Sequence, residues 1–349
     1  MQTTYSIQLF DIKGATQEEY AALNRHINLM RRERLPDDPP IALDETMNEL
    51  HNLPSYVEVK IWTTKQKGSD EIIAMGMVQM LNMEENRHLA QFDISVCPDF
   101  RRQGLGRHIL ELITHAAQSE KRRLLLSESY DRIPAGEAFM TRLGAQKGLV
   151  GHINQLKIAE LDQDLLAKWL ARGNMLLSEF MLGLWEGPYP EDQLVAISQL
   201  VELTNQQPFG DLEIEEFHLT PEQLRQQEQM IFARGNQRWT FYILEKSTGK
   251  FAGYTETRWH PNRPEILYQD MTGVFPEYRN RGLGRWLKAA MLNKVLIDRP
   301  QVKYIRTGNA DSNAAMLKIN NELGFKPYMA NALWQVELDH VLAYLEQHK

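Results

Sequence analysis

The sequence predicts an α/β protein made twice: two tandem domains, each with a central, mostly antiparallel mixed sheet flanked by helices. Three observations predict it. The chain has 349 residues, whereas one ordinary domain has roughly 100–200. Residues 96–110 read VCPDFRRQGLGRHIL and residues 274–288 read VFPEYRNRGLGRWLK. At this offset of 178, Val, Pro, Arg, Gly, Leu, Gly and Arg recur in place. The likeness also extends outward in order, which a chance motif would not do. Arg142-Leu143-Gly144-Ala145 answers Glu322-Leu323-Gly324-Phe325, and Glu160-Leu161-Asp162 answers Glu337-Leu338-Asp339. The expected domains are 1–170 and 174–349, joined near Leu170–Asn174.

Each half reads as one series of elements. A strand (4–12, 175–185) precedes a helix starting near Thr16 or Pro190. Second helices start near Asp44 and Thr220, where Thr220, Pro221 and Gln223 form a capping box with a first-turn proline. Hairpins follow: 57–63 with 71–80, and 239–244 with 251–259, turning at Gln66-Lys-Gly-Ser and Ser247-Thr-Gly-Lys. A longer strand ends at Val96 or Val274, and a Gly-rich turn opens a helix with apolar residues at 3.6-residue spacing. Strands at 123–127 and 302–307 precede a last helix and a final strand pair.

Composition excludes several classes. Hydrophobic residues make up 43% and charged residues 24%, as in a packed globule rather than a disordered chain. Thirty-nine basic against 46 acidic residues leave a net charge of −7, which argues against a nucleic-acid surface. Cys97 is the single cysteine, so no intrachain disulfide or cysteine-rich zinc site is expected, and no metal. No run of about 18 apolar residues predicts a membrane span. The opening MQTTYSIQLFDIKG lacks the basic and apolar regions of a signal peptide, so a cytoplasmic location is expected.

The repeated turn carries the chemistry. Gly104 and Gly106, with Gly282 and Gly284, permit positive φ and close ligand approach. The helix N-terminus behind them adds about half a positive charge and outward N–H groups, a setting suited to phosphate. Arg101, Arg102 and Arg107 in the first copy, and Arg279, Arg281 and Arg285 in the second, supply charge-assisted donors. A Walker loop would need Lys-Ser/Thr after the second glycine, and a dinucleotide fingerprint a third glycine; neither is present.

The pattern Arg101-x-x-Gly104-x-Gly106, repeated as Arg279-x-x-Gly282-x-Gly284 after a V-x-P strand end, resembles motif A of the GNAT superfamily of acyl-CoA-dependent N-acyltransferases. The element order resembles that fold over nearly the whole chain, and tandem members such as the mycothiol synthases share the plan. The resemblance implies acetyl-CoA as co-substrate. Its pyrophosphate would lie on Arg279, Asn280, Arg281, Gly282, Leu283, Gly284 and Arg285, with pantetheine along the strand ending at Val274. The first copy offers Val96, Arg101, Arg102, Gly104, Gly106 and Arg107. Asn313 matches the family's second CoA-contacting asparagine and equally reads as a helix cap. The first copy has Ile133 there, so the second half is the expected catalytic one. Asn320 stands where many members have a tyrosine acid, and Met140 stands there in the first copy.

Candidate catalytic groups are Asp270 as base or amine anchor, Glu256 as an alternative base or a solvated edge residue, and Tyr328 as acid. Cys97, Trp185, Trp239, Trp259 and Trp334 are expected in the core, and His260 exposed. The acidic segments Asp37-Asp38 and Asp211–Glu216 line a groove or are solvated loops. The expected reaction is acetyl transfer to a primary amine of a small molecule. An acyl-CoA-sensing or scaffold protein without turnover, and a protein or peptide N-acetyltransferase, are the alternatives. Monomer and homodimer stay open.

Overall fold

The computed structural model describes residues 5–348; Met1–Thr4, where the first strand was expected to begin, and Lys349 lie outside them. The first half runs β1 (Tyr5–Leu9), α1 (Gln17–Arg34), α2 (Leu43–His51), β2 (Val57–Gln66), β3 (Ile72–Leu81), β4 (Leu89–Val96), α3 (Leu105–Ser119), β5 (Leu124–Tyr130), α4 (Pro134–Arg142), β6 (Gln146–Lys157) and α5 (Gln163–Asn174). The second repeats it: β7 (Phe180–Glu186), α6 (Leu194–Val201), α7 (Pro221–Ala233), β8 (Gln237–Glu245), β9 (Phe251–Trp259), β10 (Ile266–Val274), α8 (Leu283–Asp298), β11 (Tyr304–Ala310), α9 (Ala314–Glu322), β12 (Lys326–Glu337) and α10 (Leu338–Gln347). The capping box at Thr220 forms as expected, and Thr16 forms another with Glu19.

The compact units do not coincide with the sequence halves. One unit comprises residues 1–150, 209–216 and 331–349; the other comprises 151–208 and 217–330. Each half sends its last strand into the other half's unit. In the first unit, β1, β2, β3 and β4 pair antiparallel, β4 and β5 run parallel, and Asn331–Glu337 of β12 pairs antiparallel with Tyr130–Leu124 of β5. In the second, Gly151–Lys157 of β6 pairs with Ala310–Tyr304 of β11, and β10, β9, β8 and β7 follow. The final helices travel with their strands, so α10 packs on α3 and α5 on α8.

The expected junction near Leu170–Asn174 is therefore helical. Gly173, which looks like a linker residue, lets α5 approach α8: a Cβ there would lie 2.1 Å from the Trp286 ring. The segment 209–216 is likewise no free acidic loop. Glu213 pairs with Arg123 at 2.5 Å, and Glu215 accepts from the Asn86 backbone at 2.7 Å. Asp38 pairs with Arg31 at 2.7 Å.

The first unit's core lies between the sheet and one helix face. Leu105, Ile109, Leu110, Ile113, Ala116 and Ala117 of α3 are buried with Val78, Phe92 and Leu125, and with Trp334, Leu338, Val341 and Leu345 from the chain's end. Trp185, Trp239, Trp259, Trp334 and Cys97 are buried as expected. His260 is not exposed: it is 4% accessible, with Nε2 donating to the Arg234 carbonyl at 2.8 Å.

Candidate functional site

The site grows from a failure of two strands to stay paired. β4 and β5 pair only at Leu89–Leu124, Ala90–Leu125 and Gln91–Leu126, although both strands run on, to Val96 and Tyr130. The splay opens a cavity of about 990 Å³ in the first unit. Its mouth holds the turn. Gly104 caps α3 in the left-handed region at φ 87°, and Arg102 before it is also left-handed at φ 63°. The first turn of a helix has N–H groups without intrahelical acceptors, and here they face a cavity large enough for a ligand. Arg101 is fixed by a bidentate pair with Glu33 (2.8 and 2.5 Å) and by the Val96 carbonyl at 3.0 Å. Arg107 donates to the His348 carbonyl, and Arg102 is exposed on the cavity wall.

The cavity's other wall brings together four groups: Arg34 from α1, Asp93 from β4, and Glu128 and Tyr130 from β5. Asp93 is reachable by solvent through the cavity, yet protein surrounds it closely. That enclosure raises its carboxyl pKa; nearby Arg34 opposes the rise and Glu128 adds to it. The Tyr130 hydroxyl donates to Glu128, and Asn331 donates to the other oxygen at 2.6 Å. Burial and the Glu128 charge raise the Tyr130 pKa, so it keeps its proton. The Arg34 guanidinium stacks 4.3 Å from the Tyr130 ring. Ile27, Met30 and Met75 complete an apolar wall beside them.

The second unit repeats the backbone but packs a different set of side chains against the strand end. Gly282 caps α8 at φ 88°, Asn280 sits at φ 63°, and β10 and β11 pair only from Ile266 to Tyr268. Arg281 pairs with Glu179, Arg285 is bidentate with Glu322 (2.9 and 2.8 Å), and Arg279 binds Gln206 and the Val274 carbonyl. The helix matching α1 is short and continues as a tight turn, Glu202–Gln206, that packs on β10. Leu203 and Met271 there join a cluster with Tyr254, Tyr189 and Trp185.

The acetyltransferase (GNAT) family signature matches residues 26–145 and again 197–325, most of the chain. The chain belongs to the GNAT family. It is similar to a tandem GNAT protein from the clavulanic acid biosynthesis pathway, with 23% identity, a TM-score of 0.78, and coverage of 96% of this chain and 98% of that one. A GNAT from Sphaerobacter thermophilus matches with 13% identity, TM-score 0.67 and 97% coverage of both chains. A glucosamine N-acetyltransferase region of a fungal multi-domain β-N-acetylglucosaminidase matches with 13% identity and TM-score 0.64, over 95% of this chain and 38% of that one. No curated protein matches the chain. These likenesses carry the fold.

Within this GNAT fold, two of the catalytic candidates read from sequence, Asp270 and Glu256, lie near each other on the paired strands β10 and β9. Asp270 is held by Arg258 in a bidentate ion pair (2.5 and 2.7 Å), so taking a proton would break that pair. Glu256 is not on an edge, because β9 pairs with both β8 and β10. It accepts from Tyr189 at 2.6 Å and Thr240 at 2.8 Å, with Arg238 3.6 Å away; burial raises its pKa. Tyr328 on β12 lies under Arg306, 4.4 Å from ring to guanidinium. Asn313 caps α9 through Met316 N–H at 3.3 Å. Ile133, whose poor capping chemistry argued against the first copy, lines the cavity. Asp93, Glu128, Tyr130 and Arg34, which the sequence reading did not name, line the cavity; the sequence signal for them is a carboxylate three residues before Val96 and the Glu128-Ser-Tyr130 strand end.

Asn320, at the tyrosine's place, has a packing role instead. It accepts from the Lys288 ammonium at 2.8 Å and donates to Asn309 Oδ1 at 2.8 Å. The first copy has Leu110 where the second has Lys288. Burial pushes the Lys288 pKa down to about 7. The unfolded chain, with an ordinary lysine, then binds more protons between pH 7 and 10.5 than the folded one. Stability from this group is full above pH 10.5 and lost as pH falls through 7, with a slope of roughly 1.4 kcal/mol per pH unit. Denaturant titrations at pH 7 and 9.5 should show this gain in wild type, and Lys288→Met should flatten it. An identical pH response in the variant would place the charge elsewhere.

Among the described residues, no group of three or more His, Cys, Asp or Glu side chains is placed to hold a metal, and no helix is long and apolar enough to cross a membrane.

Proposed function

We propose that the protein is an acyl-CoA-dependent N-acyltransferase that works in the first unit, moving an acetyl group from acetyl-CoA to a primary amine of a small molecule. The observation that carries this reading is the cavity itself. One continuous space joins a phosphate-binding turn to a charged end holding Asp93, Glu128, Tyr130 and Arg34. The residues fit the co-substrate: Gly106 presents no side chain to the cavity, and Arg102 and Arg107 are set where a pyrophosphate would meet the α3 N-terminus. Acyl-CoA supplies an activated thioester when bound.

The protein's own groups then handle the amine. An amine arrives as an ammonium, and two carboxylates set against a single guanidinium leave a negative balance that attracts it. Asp93 takes one ammonium proton, since its raised pKa brings it closer to the operating range of a base. Glu128 is oriented by Tyr130 and Asn331 and holds the amine in line. Met140 is in the core and lines the cavity, so no acid stands at the family's tyrosine position. The amine's second proton is left to neutralise the departing thiolate.

Asp93→Asn should lower kcat by about 10²–10⁴ with acetyl-CoA binding retained. In wild type, the rate should climb as pH rises through the Asp93 pKa, because the base acts ionised; the variant should lose that limb. Thiol release across a panel of primary amines is the measurement. An unaltered pH profile in Asp93→Asn would remove Asp93 from the role, and no thiol release with any amine would sink the transferase reading.

A further inference from the structure

We infer that α10, delivered from the far end of the chain, completes the nucleotide end of the proposed acyl-CoA site, with the Tyr344 and His348 rings holding the adenine. This rests on the proposal that acyl-CoA occupies the first unit. Both residues line the same cavity as the Gly104–Arg107 turn. Their rings lie 4.3 Å apart at 32°, and His348 Nδ1 donates to the Tyr344 carbonyl at 2.8 Å, so the pair is preset. The His348 carbonyl accepts from Arg107, tying the pair to an arginine of the turn itself. A purine can stack one π face on the outer face of such a pair, and aromatic side chains beside a phosphate-binding turn are the chemistry that recognises it.

The duplication supplies an internal comparison. Helix α5 packs on α8 as α10 packs on α3. At the offset of 177 that aligns Leu161 with Leu338, Tyr344 and His348 correspond to Ala167 and Ala171. The aromatic pair therefore belongs to one unit alone, the one with the open cavity. Leu338, Val341 and Leu345 are the buried residues of α10, while Tyr344 is partly buried against the same core and His348 is exposed, so each ring keeps a face that a ligand can meet.

The test pairs two acyl donors. Acetyl-CoA carries the nucleotide; acetyl-pantetheine has the same thioester and arm without it. The Tyr344→Ala/His348→Ala variant should raise KM for acetyl-CoA roughly tenfold and leave KM for acetyl-pantetheine and kcat for both donors unchanged. Tyr344→Phe should restore most of the loss, since the ring is retained. Equal effects on both donors, or no effect on either, would overturn the inference while leaving the transferase reading in place. A wild-type protein that binds neither donor would overturn both. Thermal unfolding of the variant at the wild-type temperature excludes a folding defect as the source of a raised KM.

Discussion

Gly104→Asp is expected to abolish acyl-CoA binding, raising Kd by more than about a hundredfold, whereas Gly282→Asp should leave it near wild type. Both glycines cap a helix in the left-handed region, at φ 87° and 88°. A side chain therefore imposes the same strain at each, about 1–2 kcal/mol, so the two variants control for each other's folding. They differ in surroundings. Around Gly104 the added carboxylate would face a cavity where Arg102 and Arg107 lack carboxylate partners among the described residues. Around Gly282, Arg281 and Arg285 are already matched by Glu179 and Glu322. Titration of each variant with CoA, followed by calorimetry, reads the difference. Loss of binding in Gly282→Asp alone would return the site to the second half.

Residues 1–170 expressed alone should fail to fold, and should recover structure when residues 174–349 are supplied in trans. The first unit's core needs Trp334, Val336, Leu338, Val341 and Leu345, each no more than 8% exposed. At about 1.5–3 kcal/mol for each buried large apolar side chain, their removal withdraws about 10 kcal/mol. A whole domain is stable by only about 5–15 kcal/mol. The cut also leaves the β5 edge without its antiparallel partner, Asn331–Glu337. Circular dichroism and a cooperative denaturant transition are the readouts. A cooperative transition from 1–170 alone would contradict the exchanged-strand architecture.

The duplicated fold was legible in the sequence because local chemistry dictates it. Gly104 and Gly282 demand positive φ, the prolines at 98 and 276 end the strand, and Thr220 with Gln223 starts a helix whatever lies nearby. The strand exchange was not legible. β6 and β12 both follow an Arg/Glu-Leu-Gly helix end and carry similar apolar patterns, and which β5-like strand each pairs with is a long-range choice. Gly173 misled for a related reason: a glycine reads as a break until its neighbour, Trp286, is known.

On the proposal that the first unit is the working one, the sequence reading of the site goes astray on face and register. Asp93 and Asp270 lie one position apart when the halves are superposed at 178, and successive strand residues point to opposite faces. β10 also shifts register between Gln269 and Thr272, whereas β4 pairs regularly with β3. Asp270 consequently meets Arg258, while Asp93 meets the cavity. Asn313 drew attention to the second half because a cap is visible in sequence, but a cap does not keep a groove open. Long-range packing does, and in the second unit Leu203 and Met271 pack into one cluster beside β10.

A crystal structure with CoA bound tests the central claim most directly. The pyrophosphate is predicted at the backbone of residues 104–107 beside Arg102 and Arg107, with the pantetheine thiol end between β4 and β5 and directed toward Asp93. CoA bound only at residues 279–285, along β10, would contradict it.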